Sequence, residues 1–449
     1  MGLCFNPQEL SDFARYYGFH YDSLEPTALV KEILADMERG LSGLASSQPM
    51  IPSYITPTTQ ALPGKTVLAL DAGGTNLRAS LVRFDGQGRA TAEGTAVHPM
   101  PGTKGRLNAS QFFQAIADAA LPLLAATPDI DGIGFTFSYH IDIQPNADGI
   151  LIAFSKEVDA PDVIGKAVGV GLREALAHKG FAYDGPIVLL NDTVATLLAG
   201  LTAIPTDSAG NLAEGPVAGL ILGTGFNTAY PETSIPKIGF ATKDAPQIVV
   251  AESGTYNFRH RGPLDAEFDR TTKSPGTYTL EKATSGAYIG PLTLHILKRA
   301  IADKVIRFKK SEECLAMPHL ETKAFDEFAH APFATQNPFA ALFGADEKET
   351  VSAVLHLSSI LVERGAVLGA AVLAATAQRM RMGYKPDSPM RIAVEGTTFL
   401  RYKGMRRAHE SRLHTLLTKD DPVSYTIEPV DQASLYGAAV AAASRRNEP

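Results

Sequence analysis

Asp71, Gly73, Gly74 and Thr75 stand between two apolar runs in LALDAGGTNLRASLVRF, residues 68–84. The run Leu68-Ala69-Leu70 suits a strand buried on both faces, and Leu77 to Phe84 reads as its returning partner. A glycine turn has no Cβ in the way, so a phosphate could approach its backbone amides. Asp71 could then hold magnesium through water, and the Thr75 hydroxyl could meet a phosphate oxygen. An ordinary hairpin whose turn needs glycine would carry the same residues. A second candidate is Asp192, where the apolar run IVLL meets a helical pattern between Asn191 and Thr193. Two roles fit an aspartate there. One is the N-cap of the helix; the other is a general base at a strand end, where α/β folds keep reactive groups. Glu252 in AESG and Glu281 in LEKATSG are flanked by small residues, as acids lining a polar pocket would be.

The elements that must position these groups follow from periodicity. Residues 27–41 place Ala28, Leu29, Ile33, Leu34, Met37 and Leu41 on one helical stripe, and the four-proline stretch 46–65 reads as a linker. Residues 111–126 predict a helix interrupted late by Pro122, residues 130–138 a strand, and residues 162–180 a helix ending at Gly180. GPIVLLNDTVATLLAGL (185–201) is a strand turning straight into a helix, and VAGLILGTGFNTAYPE (217–232) is a second hairpin with a glycine turn. Residues 351–380 form a long apolar helix, 390–401 a strand and 434–446 a closing helix. The Asp71 and Gly223 turns, each followed by further strand and helix, imply two related α/β lobes facing each other across a cleft.

Composition bounds the function classes. A chain of 449 residues exceeds one comfortable core, so two domains are expected. A net charge of −7 implies no broad basic surface for nucleic acid. Two distant cysteines, Cys4 and Cys314, supply neither a disulfide framework nor a cysteine zinc site and fit a reducing compartment. No uninterrupted apolar run approaches the ~18 residues of a membrane span, so a cytoplasmic protein without membrane partners is expected. PGKT at 63–66 lacks the Walker A glycine, Thr59 standing in its place, and GTGFNT lacks the third glycine of a dinucleotide fingerprint.

Several motifs in order resemble the hexokinase family of the actin-like sugar-kinase superfamily. LALDAGGTNLRASLV resembles its first phosphate loop, and GFTFSYHIDIQPNADGILIAFSKEV its sugar-binding segment. LLNDTVATLLAG is similar to its catalytic-base segment and GLILGTGFNTAY to its second phosphate loop. AESG, SPGTYTLEKATSGAYIG and VEGTTFLR also match, the last being similar to the adenosine motif. The resemblance runs from about residue 20 to the end, weakest between 305 and 350.

It implies an α/β fold of two actin-like (ribonuclease H-like) lobes, small and large, facing across a cleft. The small lobe would hold 62–190 plus 433–449, the large lobe 1–61 plus 191–432. The implied reaction is transfer of phosphate from ATP to the 6-hydroxyl of a hexose, most simply glucose, with magnesium. Asp71, Gly73, Gly74, Thr75, Asn76 and Arg78 would meet the nucleotide phosphates and their magnesium. Ser138, Ser155, Lys156, Asn191, Asp192, Asn227, Glu252 and Glu281 would surround the hexose. Asp192 would be the base and Lys156 a charge-stabilising cation. Gly223, Thr224 and Gly225 would hold phosphate, with Gly396 and Thr397 bordering the adenosine.

Departures fall on the pocket rim. Ser138-Tyr139-His140 replaces the usual SFP, and Ser155-Lys156-Glu157-Val158 replaces TKGF. The family's NTEWG becomes Val249-Val250-Ala251-Glu252-Ser253-Gly254, and Glu395 stands where Asp is usual. Sugar preference and oligomeric state therefore stay open. Two other readings remain: a repressor-type kinase for another sugar, which would need a cysteine-rich zinc motif, and a catalytically idle sugar sensor.

Overall fold

Strands apolar at successive positions need cover on both faces. The chain supplies it by packing helices against two sheets. The structure, a computed structural model, describes residues 6–58, 62–154, 158–202, 217–242, 245–380, 389–418 and 422–445. In chain order its strands are β1 (Ile51–Pro52), β2 (Thr66–Ala72), β3 (Asn76–Phe84), β4 (Ala90–Pro99), β5 (Gly132–Phe137), β6 (His140–Ile143), β7 (Gly149–Ala153), β8 (Ile187–Leu190), β9 (Val217–Leu222) and β10 (Phe226–Glu232). They continue with β11 (Ser234–Ile235), β12 (Phe240–Ala241), β13 (Gln247–Val250), β14 (Met390–Glu395) and β15 (Tyr425–Pro429).

One sheet has the order β4-β3-β2-β5-β8, the other β1-β13-β10-β9-β14-β15. The same plan recurs in each. The hairpin β2–β3 lies beside parallel β5, and the hairpin β9–β10 lies beside parallel β14. Each hairpin therefore points a glycine turn out of its sheet.

Two helices rich in small residues join the sheets. Helix Ala433–Ser444 lies so close to β5 and to helix Asp192–Thr202 that a Cβ on Gly134 would stand 1.9 Å from the Ala438 carbonyl oxygen, and one on Gly437 would stand 2.0 Å from that of Ala195. One apolar cluster runs from Val67 and Val188 through Leu197 and Ala438 to Val217 and Ala393, so the two sheets share a core at this edge. Elsewhere each sheet has its own. Helices Ala109–Ala126 and Val168–His178 cover one sheet, and the 33-residue helix Lys348–Met380 runs through the core of the other. That helix is long and apolar enough to cross a bilayer by length and composition, yet 94% of its most apolar stretch is buried inside the protein. It also carries Arg364, buried and paired twice to Asp265 at 2.8 and 2.9 Å.

The structure corrects four sequence expectations. The helix through Pro122 is not interrupted; the proline removes only the N–H that would donate to the carbonyl of Asp118, an exposed residue. The helix expected from 162 begins only at Val168, because Gly165 turns left-handed (φ 82) after a single 3₁₀ turn. The linker 46–65 contributes β1, whose proline is tolerated at a sheet edge. The 390–401 strand ends at Glu395, and a short helix, Thr397–Arg401, follows Gly396.

Candidate active site

The first turn is formed by Gly73 to Thr75, closed by the Gly73 N–H donating to the Asn76 carbonyl at 3.0 Å. Gly73 is not among the left-handed glycines, and a Cβ on it would meet only the Asn76 carbonyl oxygen, at 3.6 Å. Space in front of the turn, rather than backbone conformation, is what glycine provides there. Asp71 faces Arg78 across the hairpin, its carboxylate 3.7 Å from the guanidinium and 9% exposed. Behind the turn, Ser138 N–H donates to the Ala72 carbonyl at 3.1 Å and the Tyr139 hydroxyl to the Gly73 carbonyl at 2.7 Å.

The second turn, Gly223 to Gly225, is held from outside its hairpin. The Gly223 carbonyl accepts the Thr398 hydroxyl and the Gly286 N–H, both at 2.8 Å, and the Thr224 carbonyl accepts the Ala287 N–H at 3.0 Å. Gly396 is required where it stands. Its φ is 129°, and a Cβ would lie 2.3 Å from the Leu222 carbonyl oxygen. Gly396 and Thr397 thus sit against the second turn, Thr397 exposed at the start of its helix.

Between the turns lies Asp192. Asn191 Oδ1 accepts the Thr193 N–H at 2.7 Å, and the Asn191 carbonyl accepts the Ala195 N–H at 3.0 Å. Asn191 is therefore the N-cap and Asp192 the first helical residue, which removes the capping reading of Asp192. The Thr193 hydroxyl reaches Asp192 Oδ1 at 3.3 Å.

A wall of acids and amides faces it. Asn227 Nδ2 donates to Glu252 Oε1 at 2.9 Å, while Asn227 Oδ1 accepts the N–H groups of Thr228 and Ser253 at 2.8 and 3.3 Å. Glu281 Oε2 accepts the Phe226 N–H at 3.1 Å. Burial pushes the Glu252 carboxyl up to about 7, the charges of Asp192 and Glu281 adding to it and Asn227 opposing. Burial likewise raises Glu281. Ser253, one of the family departures, turns inward: its hydroxyl lies 2.5 Å from that of Thr228.

Glu395, at the end of β14, meets the Thr196 hydroxyl at 3.4 Å. Burial, with the charges of Asp192 and Asp71 adding to it, raises its carboxyl to about 7. The first turn, the candidate base and the end of β14 thus converge on one acidic centre. A cavity of about 250 Å³ opens beside it, lined by Tyr139, His140, Asn191, Glu252, Thr255 and Tyr278 among others. A larger cavity, about 630 Å³ along helix Ile289–Ala302, contains none of these acids and shares only Ala287 with the second turn's contacts.

Ser155 and Lys156 lie outside the described residues. Sequence reasoning missed Tyr278 altogether and noted Tyr139 and Glu395 only as departures. Tyr278 lines the cleft in a left-handed conformation (φ 53), a conformation no sequence pattern marks for a tyrosine. Among the described residues no three His, Cys, Asp or Glu side chains gather as an ion cage. The Asp71 carboxylate, facing Arg78, fits a magnesium ion that arrives on phosphates and keeps several waters.

Two family profiles, each described as hexokinase, match residues 10–202 and 217–444. The chain is 27% identical to hexokinase-1 of Saccharomyces cerevisiae, covering 97% of this chain and 93% of that one. It is 28% identical to hexokinase-2 of Candida albicans, covering 93% and 88%. Among solved structures, a Schistosoma mansoni hexokinase complexed with glucose superposes with a TM-score of 0.78 at 22% identity, covering 98% of this chain and 100% of that one. The two-lobed fold, the paired glycine turns and these matches establish that the chain belongs to the hexokinase family and is a sugar-phosphorylating enzyme.

Proposed function

We propose that the enzyme transfers the γ-phosphoryl group of ATP to the 6-hydroxyl of a hexose, glucose first, with Asp192 as general base. The observation that carries this is the convergence: Asp192, first residue of its helix, shares one acidic centre with Asp71 and Glu395, beside the cavity that Asn191 and Glu252 line. Asn191, Asn227, Glu252, Glu281 and Ser138 hold the sugar. Such a pocket suits a ligand whose hydroxyls point in every direction, since each can be bonded by an acid or an amide. Asp192 takes the 6-hydroxyl proton as the oxygen attacks phosphorus. The amides of Gly73–Asn76 and Gly223–Gly225, with Arg78 and Lys156, position the phosphates and offset the developing charge. Magnesium, which Asp71 would hold through water, would neutralise phosphate charge when bound. Closing residues 62–190 with 433–449 onto 1–61 with 191–432 would keep water from the γ-phosphate.

The idle-sensor alternative needs a lost base or phosphate turn, and this chain keeps both. We place the enzyme in the cytoplasm, on its use of only two cysteines, far apart in sequence, and its acidic balance. The test is ADP release with magnesium and ATP over a panel of hexoses, with glucose expected to be turned over. Binding of glucose without ADP release would favour the sensor.

A further inference from the structure

The family's usual phenylalanine is Tyr139 here, and the added hydroxyl has a definite partner. The ring is 6% exposed, packed against Phe137 and Phe154 with centroids 5.0 and 5.1 Å away. Its hydroxyl bonds the Gly73 carbonyl at 2.7 Å, and the preceding residue, Ser138, bonds the Ala72 carbonyl at 3.1 Å. Two successive residues of the sugar segment therefore hold two successive carbonyls at the first turn. The Tyr139 bond is a side-chain contact that phenylalanine cannot make. A trans peptide plane points its N–H opposite to its C=O. Anchoring the Gly73 carbonyl therefore also sets the direction of the Gly74 N–H, one of the amides assigned to phosphate.

We propose that Tyr139 is a positioning residue that couples the sugar and nucleotide sites, aiming the Gly74 N–H from the segment that carries Ser138. This rests on the proposed placement of sugar at Ser138 and phosphate at Gly74. Its consequence is reciprocal: nucleotide tightens sugar binding by the same factor as sugar tightens nucleotide binding.

The test compares the parent with Tyr139→Phe, which keeps both ring contacts and removes only the hydroxyl. Glucose affinity is measured by calorimetry with and without magnesium and AMP-PNP, and the KM for ATP at saturating glucose. In the parent, AMP-PNP should tighten glucose binding. In Tyr139→Phe that factor should fall towards one and the KM for ATP rise by about two- to twelvefold, the worth of one hydrogen bond. Glucose affinity without nucleotide should stay within about twofold. An unchanged coupling factor, or a parent with no coupling, overturns the proposal. So does an equal loss of glucose affinity without nucleotide, which would make Tyr139 a support of the strand alone. A thermal midpoint on the same preparation excludes misfolding. Because the coupling is read from binding, it is independent of whether the parent releases ADP, which tests the kinase reading separately.

Discussion

Two glycines assigned to nucleotide binding should fail in opposite ways when given a methyl group. At Gly396 the new Cβ would stand 2.3 Å from the Leu222 carbonyl oxygen and 2.7 Å from the Gly223 nitrogen, at a φ of 129°. Backbone strain of about 1–3 kcal/mol adds to about 1–3 kcal/mol of overpacking. Gly396→Ala should therefore lose about 2–6 kcal/mol of stability, by the same two contributions. It should weaken ATP use as well, since Leu222 and Gly223 lead into the second turn. At Gly73 the new Cβ meets only the Asn76 carbonyl oxygen, at 3.6 Å, and no positive φ is involved. Gly73→Ala should keep its stability within about 0.5 kcal/mol, as a substitution without strain or clash does. The methyl instead occupies the approach to the amides. Losing one charge-assisted hydrogen bond, about 1.5–3 kcal/mol, raises the KM for ATP by about ten- to 150-fold. Urea unfolding midpoints and ATP titrations at saturating glucose separate the two. A Gly73→Ala enzyme with an ordinary KM for ATP would refute the reading that the first turn is open in order to admit phosphate.

Two further substitutions probe the acid wall. The folded-state carboxyl of Glu252 lies near 7 against an ordinary 4.5, so the native protein keeps a proton that the unfolded chain has lost between those values. Its stabilising contribution is whole below the unfolded value and is lost as pH rises through the folded one. Sugar-free stability should thus fall on going from about pH 5 to 8, by at most about 1.4 kcal/mol per unit from this group, and Glu252→Gln should flatten that slope. A slope unchanged in the variant would contradict the assignment. Tyr278→Phe should raise the sugar KM by about two- to twelvefold at unchanged melting temperature if the hydroxyl bonds the substrate. An unchanged sugar KM would place Tyr278 on the rim only.

Much of the candidate site was legible because the residues that form each part of it lie close together in sequence. Asp71 with its glycines, Asn191 with Asp192, and Gly223 to Gly225 each sit at a strand end that apolar runs announce. Glu252 and Glu281 were legible only as acids among small residues; their convergence depends on the fold bringing Phe226, Asn227 and the helix Thr279–Thr284 together. The capping question at residues 191 and 192 could not be resolved from sequence, since either side chain suits an N-cap, and only the Thr193 N–H direction decides it. Tyr139 and Glu395 were visible as substitutions but not as partners, because Gly73 is 66 positions from the first and Thr196 is 199 from the second. The late start of the helix at Val168 was hidden for a different reason: a glycine inside a helical pattern does not reveal the sign of its φ.

The central claim is that Asp192 is a base and not a structural residue. Asp192→Asn keeps shape and hydrogen-bonding reach while removing proton acceptance. Because Asn191 makes the capping bond, the variant should melt within a few degrees of the parent. General-base catalysis supplies about 10²–10⁴-fold, so kcat with glucose and ATP should fall by at least about a hundredfold. Measuring turnover and melting on one preparation decides the matter: a folded Asp192→Asn enzyme that retains turnover within tenfold of the parent contradicts the account.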